Sequence, residues 1–155
     1  MQADITPRPA TTIVGLKIRT APMSPQIPAL WPRFVARIPE IALPATPRVT
    51  YGVMTPAGPD MVALDYMAGV AVHEAGALPD GLSSWLLPAG TYAVFRCPLD
   101  RLGAGYGEIF EKWLPASGWV QAPGPLFERY DERFCPDEPA SLVEIGVPVR
   151  PRDAR

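Results

Sequence analysis

The chain has 155 residues, of which 48% are hydrophobic and 19% charged, a composition typical of one globular domain rather than a disordered or membrane protein. Fourteen basic against sixteen acidic residues leave a net charge of -2 without a basic stripe, which argues against nucleic-acid binding. No segment approaches the ~20 apolar residues of a membrane span, and the N-terminus lacks the pattern of a secretory signal. We therefore expect a single cytoplasmic domain over residues 1–155, with no direct nucleic-acid or membrane partner.

The first half of the chain begins with one strand pattern and one helix pattern. Residues 13–19 end in an apolar/polar alternation that predicts a strand with one solvated face. Apolar residues then recur over 27–38 at the spacing of one buried helix face, and Pro39 closes this run. Because a proline inside a helix costs about 3 kcal/mol, Pro32 predicts a kink or a late start of this helix.

A predicted hairpin follows the first helix. Residues 51–54 and 64–72 resemble strands, and the segment 56–60 between them is rich in turn-forming residues. A connector over 76–88 leads to residues 90–97, whose β-branched and aromatic content favours another strand.

The second half repeats the pattern of the first. Residues 106–114 show helical spacing and end before Pro115, and two further strands are predicted over 126–130 and 142–148. The order strand, helix, strand, strand therefore occurs twice, which predicts an α+β fold made of a duplicated βαββ unit. We expect an antiparallel or mixed sheet of about six strands with two helices on one face. A ligand groove is expected on the other, partly open face, where the two halves meet.

Motifs in the second half carry a family resemblance. Residues 113–119 (WLPASGW), 125–130 (PLFERY) and the closing strand 143–149 resemble, in order and spacing, the GyrI-like small-molecule-binding domain. This is also the effector-binding domain of AraC-type and MerR-type multidrug regulators. The first half matches more loosely, so the resemblance covers a core of about 13–150 and implies the same duplicated βαββ fold.

The resemblance also implies a set of functions. The residues ahead of Ile13 are too few for a helix-turn-helix domain, so we expect a stand-alone member. Stand-alone relatives include binders of lipophilic, often cationic compounds, hydrolases of cyclopropane-bearing toxins, and a gyrase-inhibiting protein. We expect the first function, capture of a hydrophobic, cationic or polycyclic compound. Toxin hydrolysis and binding of a protein partner such as gyrase stay open as alternatives, and none of the three requires a cofactor or a metal.

Glu128 is the central residue of the predicted site. Side chains alternate along a strand, so Glu128 and Tyr130 share one face, while Phe127 and Arg129 share the other. The resemblance places the glutamate inward, where burial would raise its pKa. An ionised Glu128 would be the counter-ion of a lipophilic cation; partly protonated, it would activate water in a hydrolase, with Tyr130 assisting. The competing interpretation is a solvated glutamate on an exposed face.

Aromatic side chains are the candidates for the cavity wall. Tyr66 and Tyr130 lie on strands expected to line the groove, where their hydroxyls would orient a ligand. Trp113 and Tyr51 are further candidates for ligand contact, although aromatic residues at such positions equally form hydrophobic cores.

Four other residues bear on the chemistry. Glu144 is expected on the groove side or at a solvent edge, and two carboxylates that approach each other would titrate as a coupled pair. His73 has no metal-binding partners nearby in sequence and is interpreted as a surface histidine. Cys97 and Cys135 lack the spacing of a metal site or disulfide framework and are interpreted as reduced structural thiols.

Overall fold

The computed structural model describes residues 1–41, 44–45, 48–58, 60 and 62–153. In chain order the main elements are β1 (Asp4–Arg8), β2 (Thr11–Thr20), α1 (Gln26–Arg37), β3 (Thr50–Ala57), β4 (Ala63–Val72), β5 (Ser83–Leu87), β6 (Gly90–Pro98), α2 (Leu102–Gly107), α3 (Leu114–Ala116), β7 (Trp119–Gln121), β8 (Leu126–Tyr130) and β9 (Leu142–Pro151). A π-helical segment, Glu108–Trp113, joins α2 to α3, and we call these three pieces the second helical region. Short 3₁₀ turns follow α1 (Ile38–Glu40) and precede α2 (Leu99–Arg101).

The sheet is antiparallel throughout the described residues, with strand order β1-β6-β9-β8-β3-β4-β2-β5 and β7 paired to β9. One βαββ unit consists of β2, α1, β3 and β4, and the other of β6, the second helical region, β8 and β9. The two units join where β3 pairs with β8. The duplicated α+β fold predicted from the sequence is thus confirmed.

The described part of the chain contains nine strands rather than about six. The additional strands are β1, β5 and the three-residue β7. β1 precedes the first unit but pairs with β6 of the second, while β5 precedes the second unit but pairs with β2 of the first. These strands are short and pair with distant partners, so a local hydrophobic pattern does not reveal them.

The sequence predicted either a kink or a late start of this helix; α1 starts at Gln26 and continues through Pro32, so the late start is wrong. Pro28 lies in the first turn, where the N–H groups have no intrahelical acceptor in any case. Pro28 is also exposed, so the carbonyl that Pro32 leaves without a donor is open to water. Burial of Leu30 and Phe34 against the sheet offsets the cost of Pro32.

Both helical regions pack on the same face of the sheet. Leu30 and Phe34 of α1 contact apolar residues of β2 and β4, and Ile109 of the second helical region packs with Phe95 and Ile145 of β6 and β9. We call this the helix face.

The opposite face of the curled sheet is filled by its own apolar cluster, which includes Val53, Met67, Val94 and Phe127. The expectation of an open groove on that face is therefore wrong. The curl of the sheet brings those side chains together into a second apolar core.

Two smaller expectations concern the thiols and the membrane. Both cysteines are free thiols, and Cys97 is buried as expected of a structural thiol, whereas Cys135 is exposed. Among the residues described, no helix combines the length and apolar character that a membrane crossing requires.

Candidate functional site

A cavity of about 640 Å³ lies on the helix face, between α1 and α2. Residues of β3, β4 and β8 form its floor, and the segment 22–25 before α1 contributes to its mouth. The cavity therefore lies at the junction of the two βαββ units, as the sequence predicted, but on the same face as the helices. We refer to it below as the junction cavity.

Glu128 lies on the floor of the junction cavity and is only 5% exposed, the single charged residue that is buried in the described part of the chain. Tyr106 of α2 donates a hydrogen bond of 2.7 Å to its Oε2 atom, and Tyr130 of β8 donates to its Oε1 atom. No lysine, arginine or histidine among the described residues forms an ion pair with it. The carboxylate is thus held by hydroxyl groups alone.

Two further aromatic side chains, Trp31 and Tyr66, form a hydrogen bond beside the carboxylate. The Nε1 atom of Trp31 donates a hydrogen bond of 3.0 Å to the hydroxyl oxygen of Tyr66. Because an indole N–H only donates, Tyr66 must accept this bond, and its other side-chain hydrogen-bond partner is Tyr130. The Trp31 ring also meets the Tyr130 ring edge to face, with centroids 5.2 Å apart. We call Trp31, Tyr66, Tyr106, Glu128 and Tyr130 the tyrosine–glutamate cluster.

The surroundings shift the titration of this cluster in a consistent direction. Burial raises the pKa of Glu128 above its ordinary value, and the hydrogen bonds from Tyr130 and Tyr106 oppose that rise. Burial, together with the nearby carboxylate, raises the pKa of Tyr66, Tyr106 and Tyr130. The tyrosine hydroxyls therefore stay protonated at neutral pH, so they act as fixed hydrogen-bond donors around one carboxylate.

The rest of the junction cavity is apolar. Proline, methionine, isoleucine and leucine side chains form its upper part, among them Pro22, Met23, Ile27, Leu64, Leu99 and Leu102. Among the described lining residues, Glu128 is the only one with a formally charged side chain. The cavity thus combines a large apolar volume with one buried acid, an arrangement that suits a hydrophobic ligand carrying positive charge.

The structure brings together three of the residues predicted from the sequence. Glu128, Tyr130 and Tyr66 all line the junction cavity, and the alternation along β8 places Glu128 and Tyr130 on the same face. Phe127 lies on the opposite face, in the cluster that fills the inside of the curled sheet.

Trp113 and Tyr51 do not line the junction cavity. Trp113 packs edge to face on Phe95, with ring centroids 5.0 Å apart. It follows Tyr106 by seven residues, which moves it about 10 Å further along the helical axis. Tyr51 lies on the opposite face of β3, where its hydroxyl accepts a 3.4 Å hydrogen bond from Arg8. Side-chain alternation explains this placement, since the next residue, Gly52, is the one on the face that carries Tyr66 and Glu128.

Glu144 does not approach Glu128. In the β8–β9 register Glu144 lies opposite Arg129, and the Arg129 guanidinium contacts its Oε1 atom at 2.6 Å. Glu128 instead lies opposite Ile145. The two glutamates therefore point to different faces of the sheet, so the groove-side placement of Glu144 is wrong and no coupled carboxylate pair forms.

His73 is exposed, as the sequence predicted, and lines a second cavity of about 640 Å³ together with Glu40 and Glu74. Nowhere in the described ranges do histidine, cysteine and acidic residues form a group of three or more that could hold a metal ion.

Three residues around Glu128 were not predicted from the sequence: Trp31 and Tyr106, which line the cavity, and Gly52, which lies opposite Glu128. Trp31 and Tyr106 occupy apolar positions of helical patterns, where aromatic residues ordinarily signal core packing. The available signal was their polar atoms, because a buried indole N–H or phenol hydroxyl needs a partner. Gly52 is recognised only from the strand register, which places it directly opposite Glu128.

Comparison with known proteins agrees with the fold and the resemblance. The model of the family described as GyrI-like small molecule binding domain matches residues 1–150. The transcriptional regulator BrlR of Pseudomonas aeruginosa is 33% identical over 154 residues, covering 96% of this chain and 56% of BrlR. A DNA gyrase inhibitor of Erwinia billingiae is 36% identical over 53 residues, or 33% of this chain and 34% of the inhibitor. The chain thus spans about half of BrlR and about a third of the inhibitor.

Solved structures share the fold. The structure of SAV2435 bound to tetraphenylphosphonium has a TM-score of 0.74 at 18% identity, over 97% of this chain and 94% of that one. The EcmrR C-terminal domain has a TM-score of 0.70 at 15% identity, over 97% and 98% of the two chains. Together with the match over residues 1–150, these findings show that the chain belongs to the GyrI-like small-molecule-binding domain family.

Proposed function

We propose that the chain captures hydrophobic, cationic or polycyclic compounds in the junction cavity, with Glu128 as the counter-ion. The observation that carries this proposal is a carboxylate at the floor of an apolar cavity without an ion-pair partner among the described residues. Burial of a charge is costly unless it is paired, and a bound cation would supply the missing partner.

The aromatic residues of the cluster add a second attraction for a cation. Trp31, Tyr66, Tyr106 and Tyr130 all line the cavity. A cation within about 6 Å of an aromatic ring gains roughly 0.5–2 kcal/mol, most when the pair is desolvated. A polycyclic cation would suit both the carboxylate and the apolar lining, because its charge would face Glu128 while its rings would replace water along the apolar upper part.

The size of the cavity fits this ligand class. Its volume of about 640 Å³ lies within the roughly 300–1,000 Å³ of small-molecule pockets. Both helices contribute to its wall, Trp31 from α1 and Tyr106 from α2, so a ligand would contact both βαββ units.

A pair of probes with one shape and opposite charges tests the proposal. Tetraphenylphosphonium and tetraphenylborate present the same four phenyl rings around a cationic or an anionic centre. We expect tetraphenylphosphonium to bind at least about 100-fold more tightly in titration calorimetry, because the anion would meet Glu128 with like charge. Equal affinities would remove the role of Glu128 as counter-ion.

Hydrolysis of a strained electrophile is the competing proposal, since the raised pKa of Glu128 suits proton transfer. Both carboxylate oxygens, however, already accept hydrogen bonds from Tyr106 and Tyr130, which leaves fewer lone pairs for a nucleophilic water. This favours binding over turnover. Consumption of a cyclopropane-bearing electrophile by the wild type, and not by Glu128→Gln, would reverse that preference.

A further inference from the structure

Gly52 lies beside Glu128, beneath the end of the Tyr66 side chain at the cavity floor. It is on β3, opposite Glu128 of β8 on one side and Ala68 of β4 on the other. Its φ angle is not in the left-handed region, so backbone conformation does not require a glycine here. The space above its Cα atom, rather than its backbone conformation, therefore accounts for the glycine.

The hydroxyl end of Tyr66 occupies that space. A Cβ atom at position 52 would overlap the hydroxyl oxygen of Tyr66 and would lie 3.0 Å from Tyr66 Cζ and 3.2 Å from Glu128 Oε1. Tyr66 is on β4 opposite Met54, so its ring crosses β3 diagonally, above Gly52, to reach the carboxylate of β8. The missing side chain of Gly52 thus leaves a slot between Tyr66 and Glu128.

We propose that Gly52 is a positioning residue of the junction cavity, whose missing side chain admits the Tyr66 hydroxyl to the side of Glu128. The inference rests on the proposed function, because it concerns how the cavity presents its carboxylate to a cation. Gly52 touches no ligand in this account and acts through Tyr66.

The slot matters because of the hydroxyl groups that converge on Glu128. Tyr130 of β8 and Tyr106 of α2 donate to it. Tyr66 of β4 accepts the Trp31 N–H and is the side-chain hydrogen-bond partner of Tyr130, so it supports one of these two donors. No charged group of the described lining residues faces Glu128. Filling the slot would displace the Tyr66 hydroxyl, take the acceptor from the Trp31 N–H and disturb the Tyr130 hydroxyl that donates to Glu128.

Four variants test the inference: Gly52→Ala, Tyr66→Phe, their combination, and Gly90→Ala. Gly90 is a matched control, because it also lies in a strand and an added Cβ there meets nothing within 4 Å. The readouts are the affinity for tetraphenylphosphonium, its pH profile and the melting temperature. We expect Gly52→Ala and Tyr66→Phe each to weaken binding about tenfold and to shift the onset of binding to higher pH, since the Tyr130 hydroxyl that donates to Glu128 loses its Tyr66 partner.

The double variant separates positioning from a general defect in β3. With the Tyr66 hydroxyl absent, the methyl group added at position 52 has less to displace. We therefore expect the double variant to bind no more weakly than Tyr66→Phe alone, while Gly90→Ala binds like the wild type. Fully additive losses, or wild-type affinity of Gly52→Ala, would overturn the inference. If the wild type binds no tetraphenylphosphonium, the proposed function fails, but non-additive melting temperatures would still support the slot and additive ones would still overturn it.

Discussion

Replacing Glu128 with Gln is expected to weaken the binding of tetraphenylphosphonium at least about 100-fold, because removal of one partner from a buried ion pair costs roughly 3–5 kcal/mol. Glutamine keeps the size of the side chain; its Oε1 atom can accept from one of the two tyrosines, and its Nε2 atom can donate to the hydroxyl oxygen of the other. Loss of the charge is therefore the main change. Titration calorimetry of the variant and the wild type measures the difference.

The matched control is Glu144→Gln. Glu144 is a partly buried glutamate on the neighbouring strand β9, and it pairs with Arg129 on the other face of the sheet. We expect its affinity for tetraphenylphosphonium to stay within about twofold of the wild type, although some stability is lost. If the two variants weaken binding equally, the effect comes from overall charge or stability rather than from the junction cavity.

The pH dependence of binding is expected to follow the titration of Glu128. Burial raises the pKa of this carboxyl, so its neutral form persists to a higher pH than that of an exposed glutamate. The cation binds the ionised form. Affinity should therefore be constant above the pKa of Glu128 in the free protein and fall about tenfold for each pH unit below it.

Tetraphenylphosphonium has no titratable group, so any pH dependence of its binding must come from the protein. The profile of Glu128→Gln should be flat over the pH range in which the fold persists. A wild-type profile that is equally flat across this range, or one that rises as the pH falls, would show that protonation of Glu128 does not control binding.

How much of the site the sequence predicted depends on the side-chain periodicity of the strands and helices that carry it. Alternation along β8 correctly placed Glu128 and Tyr130 on one face, because a strand has a period of two whatever surrounds it. The same local pattern does not reveal which face carries the helices and which face the sheet closes upon. The answer depends on the curl of the whole sheet and on the pairing of β1 with the second unit and of β5 with the first. For this reason the groove was expected on the wrong face.

The helical part of the site was harder to predict for a different reason. Tyr106 and Trp113 both fall on apolar positions of one helical pattern, and the pattern does not distinguish a residue above the cavity from one two turns further along. Trp113 packs on Phe95, whereas Tyr106 donates to Glu128. Gly52 carries no side-chain chemistry of its own, so only the strand register shows its relation to the carboxylate.

A crystal structure of the chain with tetraphenylphosphonium tests the central claim most directly. The account predicts the cation in the junction cavity between α1 and α2, facing the Glu128 carboxylate, with phenyl rings within about 6 Å of the Trp31 and Tyr130 ring centroids. A cation found instead in the second cavity beside His73, with no ligand next to Glu128, would contradict it.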